Sequence, residues 1–190
     1  MSAAQPIRNK RQVRELAEYY LKLGEIRNHV LIVVGVHTAL RISDLLRLTW
    51  DDVYDFTRNR VRGSVTIIEQ KTGKSKTIAL NDRVRSALSL YAPIAKSGEY
   101  LVKSRKGRNK AISRIQAYRI IRAAAEALEL ERVSCHSLRK TFGYHAWKSG
   151  VSPAVIMKIY NHTSLAVTQR YLGVTQDDLD DCYRRLANVI

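Results

Sequence analysis

The segment from Arg27 to Thr38 limits most strongly how this chain can fold, because its apolar residues are nearly continuous. Those apolar residues are Val30, Leu31, Ile32, Val33, Val34 and Val36. Such density is typical of a helix that is buried on most of its sides, so the segment predicts a helix at the centre of the core. The run is shorter than the roughly 20 apolar residues that cross a bilayer, and it does not predict a membrane span.

Helical spacing of apolar residues recurs on both sides of this segment. It predicts one helix from Lys10 to Leu23 and another from Ser113 to Leu130. Ser43 is expected to cap a short helix that continues to Leu48. In the second long helix, the side chains expected to face the core are Ile115, Tyr118, Ile121 and Ala125. At the C-terminus, a helix from 176 to 190 should carry an apolar stripe of Leu179, Tyr183, Leu186 and Ile190 behind a solvated acidic first turn.

A different pattern occupies the region from Asp51 to Leu80. Two runs rich in β-branched residues, at 64–69 and 76–80, predict a pair of strands. The segment Lys71-Thr72-Gly73-Lys74 between them has the composition of a hairpin tip. A short strand near 53–56 would complete a small antiparallel sheet.

Length and charge restrict the organisation and the partners of the protein. A chain of 190 residues can bury a sizeable core. We therefore expect one domain over residues 1–190, with a loose, polar start at 1–7. Lys and Arg number 33 against 17 Asp and Glu, which leaves a net charge of +16 spread along the chain. This field predicts a polyanionic partner, with nucleic acid ahead of an anionic membrane surface; the alternative is a basic protein that is simply soluble.

The two cysteines and the first residues indicate a compartment. Cys135 and Cys182 have neither the spacing of metal ligands nor that of a secreted disulfide framework, so we expect reduced thiols and no metal site. The start, from Met1 to Lys10, lacks the apolar core of a signal peptide. A cytoplasmic protein with no membrane association is the expectation.

Two clusters near the C-terminus carry residues suited to chemistry. The first, His136-Ser137-Leu138-Arg139, places an imidazole and a guanidinium three residues apart, which is one face of a helix. In the second, His162 precedes Tyr171 by nine residues, with Thr163 or Ser164 available to cap the helix that carries the tyrosine. Far upstream, Arg41 lies beside a predicted helix start, where backbone N–H groups also face anions.

These residue types fit attack on a phosphodiester. Arg41 and Arg139 can stabilise the negative charge that develops on the nonbridging oxygens, because guanidinium groups bind them in a planar, bidentate manner. A tyrosine hydroxyl needs a base or cationic neighbours to become a nucleophile. His136 can serve as that base or anchor the phosphate, and His162 can donate to it. A mobile hairpin lysine, Lys71, can protonate the leaving 5′ oxygen.

In order and spacing, these motifs resemble the tyrosine recombinase, or phage-type integrase, family. The resemblance runs from about Asn9 to Leu172. The segment Thr38-Ala39-Leu40-Arg41-Ile42-Ser43-Asp44-Leu45 is similar to the first arginine box of the family, and Gln70-Lys71-Thr72-Gly73-Lys74 is similar to its hairpin lysine, with Lys74 as the alternative to Lys71. His136-Ser137-Leu138-Arg139-Lys140-Thr141 resembles the His-x-x-Arg box. His162 and Tyr171 then correspond to the second histidine and the nucleophile.

The resemblance implies a fold and an activity. The fold would be mainly α with a small antiparallel β-sheet, that is, an α+β catalytic domain. The activity would be site-specific recombination of double-stranded DNA through a 3′-phosphotyrosyl intermediate, without metal, ATP or another cofactor. Such enzymes work as tetramers on two duplexes, and accessory proteins can assist them. The C-terminal helix could then pack on a neighbouring protomer, or dock on its own domain.

Two departures from the family pattern stand out. The residue before His162 is usually Gly, and here it is Asn161, which can also adopt a left-handed turn. Family members usually also carry an N-terminal core-binding domain, which we do not find before Ile7; we therefore expect an isolated catalytic domain or a short member. Two other functions stay open: nicking and resealing like a type IB topoisomerase, and DNA binding without catalysis by a helix-turn-helix at 151–171.

Overall fold

Helices form most of the fold in the computed structural model, which describes residues 4–174 and 176–186. The helices are α1 (Lys10–Lys22), α2 (Ile26–Thr38), α3 (Ile42–Leu45), α4 (Trp50–Val53), α5 (Asp82–Tyr91), α6 (Arg114–Ala127), α7 (Cys135–Lys148), α8 (Pro153–Tyr160), α9 (Leu165–Leu172) and α10 (Gln176–Leu186). The strands are β1 (Tyr54–Asp55), β2 (Arg60–Val61), β3 (Ser64–Ile68) and β4 (Ser75–Ala79). The predicted fold, mainly α with a small antiparallel β component, is confirmed.

The strands pair differently from the prediction of one small sheet. β3 and β4 form the expected hairpin, with Ile67 opposite Lys76. β1 does not join them and pairs with β2 instead, as a separate two-stranded antiparallel sheet. The left-handed Asn59 (φ 48°) turns the chain back, and its side-chain oxygen accepts a hydrogen bond of 2.6 Å from the Tyr54 hydroxyl. This local turn gives β1 a partner a few residues away and so separates it from the hairpin.

The predicted central helix is confirmed as α2. Val30, Leu31 and Ile32 have no exposed area, and the helix packs against α1, α5 and α7. The helix ends at Thr38, and Ala39 follows as a left-handed C-cap. Arg41 therefore lies only three residues after the end of this buried helix. None of the helices in the described part of the chain is long and apolar enough to cross a membrane.

A second, smaller apolar cluster supports the C-terminal helices. Its fully buried members are Ala39, Ile156, Tyr160 and Leu172. Gly143 on α7 makes this packing possible, because a Cβ atom there would overlap the Tyr160 hydroxyl. α7, α8 and α9 are therefore held together around the Tyr160 ring.

The first residues correct the prediction of a loose start at 1–7. Residues 1–3 lie outside the described part, but the next four are attached to the domain. The Gln5 amide donates to the Arg132 carbonyl at 3.2 Å, and the Lys140 ammonium donates to the Ala4 carbonyl at 2.8 Å. Ile7 is buried, and its amide donates to the Thr141 hydroxyl at 2.9 Å. An apolar anchor and backbone hydrogen bonds thus fix a segment whose sequence looks polar.

Two helices also differ from their predictions. Arg41 itself is the N-cap residue of α3, which ends at Leu45, so Ser43 lies inside the helix and does not cap it. In α6, Ile121 and Ala125 are buried as predicted, whereas Ile115 and Tyr118 are exposed. The residues that face the core of α6 are Ala117, Ile120, Ile121, Ala124 and Ala125.

The C-terminal helix is described as far as Leu186. Leu179 and Tyr183 of its predicted stripe are exposed, and Ile190 lies outside the described residues. The acidic first turn is not wholly solvated, because the Asp178 carboxylate forms an ion pair with Lys148 of α7. A contact within the chain therefore anchors the start of α10.

Candidate active site

The six predicted site residues come from five separate elements that meet at one cleft. Arg41 begins α3, Lys71 occupies the tip of the β3–β4 hairpin, His136 and Arg139 lie on the first turns of α7, His162 follows α8, and Tyr171 lies near the end of α9. Tyr171 contacts both His136 and His162 directly. The positive charges of Arg139, Arg41 and Lys71 lower the pKa of both histidines.

The Tyr171 hydroxyl is hydrogen-bonded to His136. Its oxygen lies 2.8 Å from the Nε2 atom of the imidazole. Burial lowers the pKa of His136, and the nearby charges of Arg139 and Lys140 lower it further. The imidazole is consequently neutral at pH 7, and in the tautomer with the proton on Nδ1 its Nε2 can accept the proton of the tyrosine.

His162 lies on the other side of the tyrosine ring. The two ring centroids are 4.7 Å apart with an interplanar angle of 68°. Burial lowers the pKa of His162 to about 4, with further contributions from Arg139 and Arg41. Its Nδ1 lies 3.1 Å from the hydroxyl of the buried Thr168. If the hydroxyl donates to Nδ1, the other ring nitrogen carries the proton and can donate to an anion.

Arg139 is almost completely buried and is held by backbone carbonyls. Nη1 donates to Ala39, and Nη2 donates to Tyr160 at 2.9 Å. The guanidinium also stacks on the Tyr160 ring, 4.5 Å from its centroid. Nε has no hydrogen-bond partner among the described residues. Because a buried cationic donor is costly when unpaired, Arg139 is suited to receive an anion.

Arg41 pairs with a carboxylate that the sequence reading did not single out. Its Nη1 lies 3.0 Å from Oε1 of Glu69, although the two atoms do not meet the geometry of a hydrogen bond. Glu69 is buried, which by itself would raise its pKa. Hydrogen bonds from Asn161 and Thr72, together with the charges of Arg41 and Lys76, outweigh burial and lower the pKa of Glu69 below its usual range.

The hairpin presents its lysines differently. Lys71 and Lys74 are both exposed at the tip, but Lys71 is among the leading charges that lower the pKa of His136 and of His162. Lys76, on β4, points inward and donates to the Ile159 carbonyl. Burial lowers the pKa of Lys76 to about 8, with the charge of Arg139 adding to the effect. The charge of Lys71 thus reaches both histidines, after larger contributions from Arg139 and Arg41.

Asp44, Glu69, Lys76 and Asn161 are site residues that sequence reasoning missed or left without a role. Asp44 lies within the arginine box and is buried, and its Oδ1 accepts the Gln70 amide at 3.0 Å. Its position three residues after Arg41, on the same face of α3, was a signal that could have found it. The other three act through contacts distant in sequence, for which the sequence carried no signal.

No group of three or more His, Cys, Asp or Glu side chains that could hold a metal ion occurs in the described part of the chain. A surface cavity of about 1330 Å³ lies away from the cleft, between the β1–β2 sheet and α5, and none of the six residues lines it. The positive charges of Arg41, Lys71 and Arg139 at the site favour an anionic substrate.

Comparison with known proteins shows the family of this chain. By sequence, residues 9–177 match the phage integrase family. The chain is 38% identical over 184 residues to the probable integrase/recombinase YoeC of Bacillus subtilis, and the match covers 97% of each protein. It is 28% identical over 181 residues to the tyrosine recombinase XerA of Pyrococcus furiosus, covering 94% of this chain and 60% of that protein.

Solved structures show the same fold. A crystal structure of XerA recombinase superposes with a TM-score of 0.77 at 21% identity, covering 98% of this chain and 66% of that one. XerH site-specific recombinase, in a post-cleavage complex with its palindromic difH substrate, gives a TM-score of 0.75 at 19% identity, covering 92% of this chain and 51% of that one. The chain thus spans about half to two thirds of the length of these Xer proteins.

The fold and the named relatives together define the enzyme class, that of the tyrosine site-specific recombinases. Within that class, the chain belongs to the phage integrase family.

Proposed function

We propose that this chain cleaves and rejoins double-stranded DNA at a specific site, with Tyr171 as the nucleophile. The observation that carries the proposal is the 2.8 Å hydrogen bond between the Tyr171 hydroxyl and His136 Nε2, beside two arginines and a second histidine. XerH, which has a similar fold, is described in complex with a DNA substrate before and after cleavage. The net charge of +16 also favours a DNA partner.

In the first step, the Tyr171 oxygen attacks the phosphorus atom while His136 accepts the hydroxyl proton. Arg41 and Arg139 stabilise the charge on the nonbridging oxygens, and His162 donates to one of them. The bond from phosphorus to the 5′ oxygen breaks, and Lys71 supplies the proton that this oxygen needs. The products are a 3′-phosphotyrosyl bond and a free 5′-hydroxyl. Attack by the 5′-hydroxyl of a partner strand then reverses the chemistry and joins exchanged strands.

Exchange between two duplexes requires several active sites, so we propose a tetramer on DNA. The exposed Leu179 and Tyr183 of α10 support a contact with a neighbouring protomer, while the Lys148–Asp178 ion pair anchors the base of that helix in its own domain. We further propose that residues 1–190 form one catalytic domain that acts on DNA in the cytoplasm, assisted by accessory proteins. Cofactors play no part in this scheme.

A suicide-substrate experiment tests the proposal. Nicked duplexes with candidate inverted repeats from the DNA next to the gene would be incubated with the protein in EDTA, and covalent adducts would be resolved on denaturing gels. We expect an adduct that mass spectrometry maps to Tyr171. Tyr171→Phe should abolish it without loss of DNA binding, because only the nucleophile is removed.

Tyr118→Phe is the matched control, since it removes the hydroxyl of another exposed tyrosine, one on α6 that takes no part in the proposed chemistry or assembly, and it should retain the adduct. Tight binding of the native site with no adduct would contradict the proposal and favour a DNA-binding regulator. An adduct that persists in Tyr171→Phe would assign the nucleophile elsewhere.

A further inference from the structure

Glu69 connects the hairpin to two other parts of the site. Its Oε2 accepts hydrogen bonds from the Asn161 amide at 2.6 Å and from the Thr72 hydroxyl at 2.9 Å, and its Oε1 faces Arg41. Its backbone closes the tip, because its carbonyl accepts the Gly73 amide at 2.8 Å and its amide donates to the Lys74 carbonyl at 3.0 Å. Glu69 therefore holds the tip that carries Lys71 through hydrogen bonds of both its side chain and its backbone.

Asn161 is the partner of Glu69 on the opposite side of the cleft. It terminates α8 in the left-handed conformation, with φ 51° and ψ 40°, directly before His162. Glycine would satisfy this backbone at least as well. The asparagine side chain adds something that glycine cannot provide, namely a hydrogen bond to a carboxylate 92 residues earlier in the chain.

A second link strengthens the same junction. Lys76 of β4 donates to the Ile159 carbonyl, two residues before Asn161. Both links join the tip end of the hairpin to the turn that positions His162. Together with the hydrogen bond from the Gln70 amide to Asp44, they hold the tip against the domain.

We propose that Glu69 and Asn161 form a latch that positions Lys71 over the leaving 5′ oxygen. Both are positioning residues, since the proposal gives neither of them contact with the reacting atoms. The inference rests on the proposed function, in which Lys71 supplies a proton to that oxygen. It adds that the side chain of Asn161 is needed for proton delivery by Lys71, in addition to the role of this residue in the turn.

The test separates proton delivery from all other steps. In one duplex the bridging 5′ atom of the scissile phosphate is oxygen, and in the other it is sulfur, which leaves as a thiolate without needing a proton. Single-turnover adduct formation would be measured on both at saturating DNA. Asn161→Gly keeps the left-handed backbone and removes only the side chain. We expect it to slow cleavage of the oxygen duplex about tenfold or more and to leave the sulfur duplex nearly unaffected.

A double variant that exchanges the carboxylate at position 69 and the amide at position 161 provides the second test. Asn161→Asp places a carboxylate against Glu69 and should slow the oxygen duplex further than Asn161→Gly does. Adding Glu69→Gln should recover much of that loss, because the glutamine amide can donate to the introduced carboxylate and its carbonyl can still face Arg41. Denaturation midpoints of each variant would show that the domain remains folded.

Asn59→Gly is the matched control, because Asn59 is also left-handed and hydrogen-bonded but lies in the β1–β2 turn. It should cleave both duplexes like the unchanged protein. An equal loss on both duplexes for Asn161→Gly, or no loss on either, would overturn the latch while leaving the proposed function intact. If the unchanged protein forms no adduct with either duplex, the proposed function fails first.

Discussion

At the scale of single residues, burial and positive charges lower the pKa of the two histidines in the site, and both are therefore neutral at pH 7. Burial and the guanidinium of Arg139 lower the pKa of both His136 and His162. A neutral His136 is what a tyrosine nucleophile needs, since a protonated imidazole cannot accept its proton. In the proposed mechanism, the cations that would bind the phosphate therefore also keep the base neutral.

The lowered pKa of His136 predicts the pH dependence of cleavage. Above the ordinary value of 6.5, the imidazole is neutral and the second-order rate constant at low DNA concentration should not respond to its titration. As the pH falls through the lowered pKa, the imidazole becomes protonated and the rate should drop tenfold per pH unit. The midpoint of this acidic limb should therefore lie below 6.5, the ordinary value.

His136→Asn is the control for that limb. It should lower the rate by roughly 10²-fold or more and remove the acidic limb, because asparagine does not titrate in this range. DNA binding measured at each pH separates the chemistry from affinity. A midpoint at or above 6.5 in the unchanged protein would contradict a base whose pKa the surrounding cations lower.

At the scale of elements, the sequence predicted those features that local chemistry determines. The continuous apolar run identified α2, the left-handed Asn161 was anticipated from its position before His162, and Ser164 proved to be the cap of α9. The buried face of α6 was partly wrong. Three alanines contribute to that face, so close approach of neighbouring helices decides its orientation more than the large side chains Ile115 and Tyr118, which stay exposed.

Within the site, too, features set by local chemistry can be predicted from the sequence, whereas contacts between distant segments cannot. Residue type and spacing led to six candidate residues, because phosphoryl transfer needs a nucleophile, a base and cations. The contacts of Glu69 with Arg41 and Asn161 could not be predicted from the sequence, because they join segments that become neighbours only when the hairpin packs against α3 and α8. Roles in catalysis for all six residues remain predictions.

The contact between α7 and α8 gives a prediction at this scale. A Cβ atom at position 143 would overlap the Tyr160 hydroxyl, which donates to the Arg139 carbonyl at 2.6 Å. Gly143→Ala should therefore destabilise the domain by about 1–3 kcal/mol, despite the better helix propensity of alanine. Urea denaturation of the two proteins measures the change.

Tyr160→Phe supplies the matched background, because it removes the hydroxyl oxygen, which is the nearest of the Tyr160 atoms that the new methyl group would meet. In that background, Gly143→Ala should cost clearly less than in the unchanged protein, and the difference is the coupling between the two sites. Equal costs in both backgrounds would show that Gly143 is not required for the placement of Tyr160.

At the scale of the whole molecule, positive charge is spread over the surface while the chemistry occupies one cleft. The exposed loop before α6 carries Arg105, Lys106 and Arg108, and a hydrogen bond of 2.7 Å from the Ser104 amide to the Lys110 carbonyl closes its base. A closed basic loop can follow a phosphate backbone without reading the sequence of the bases. It would contribute affinity and leave the choice of the cleaved bond to other parts of the molecule.

The salt dependence of binding tests this contribution. Replacing Arg105, Lys106 and Arg108 by Gln should weaken DNA binding and reduce the slope of log K against log[salt] by up to about 2.7, since each phosphate contact contributes about 0.9. The rate of adduct formation at saturating DNA should stay unchanged, because no residue of the cleft is altered. A control with Arg11, Arg14 and Lys22 of α1 replaced by Gln removes the same net charge from another exposed surface. If both triple variants lose affinity and slope equally, the effect is one of net charge and the loop is not a DNA contact.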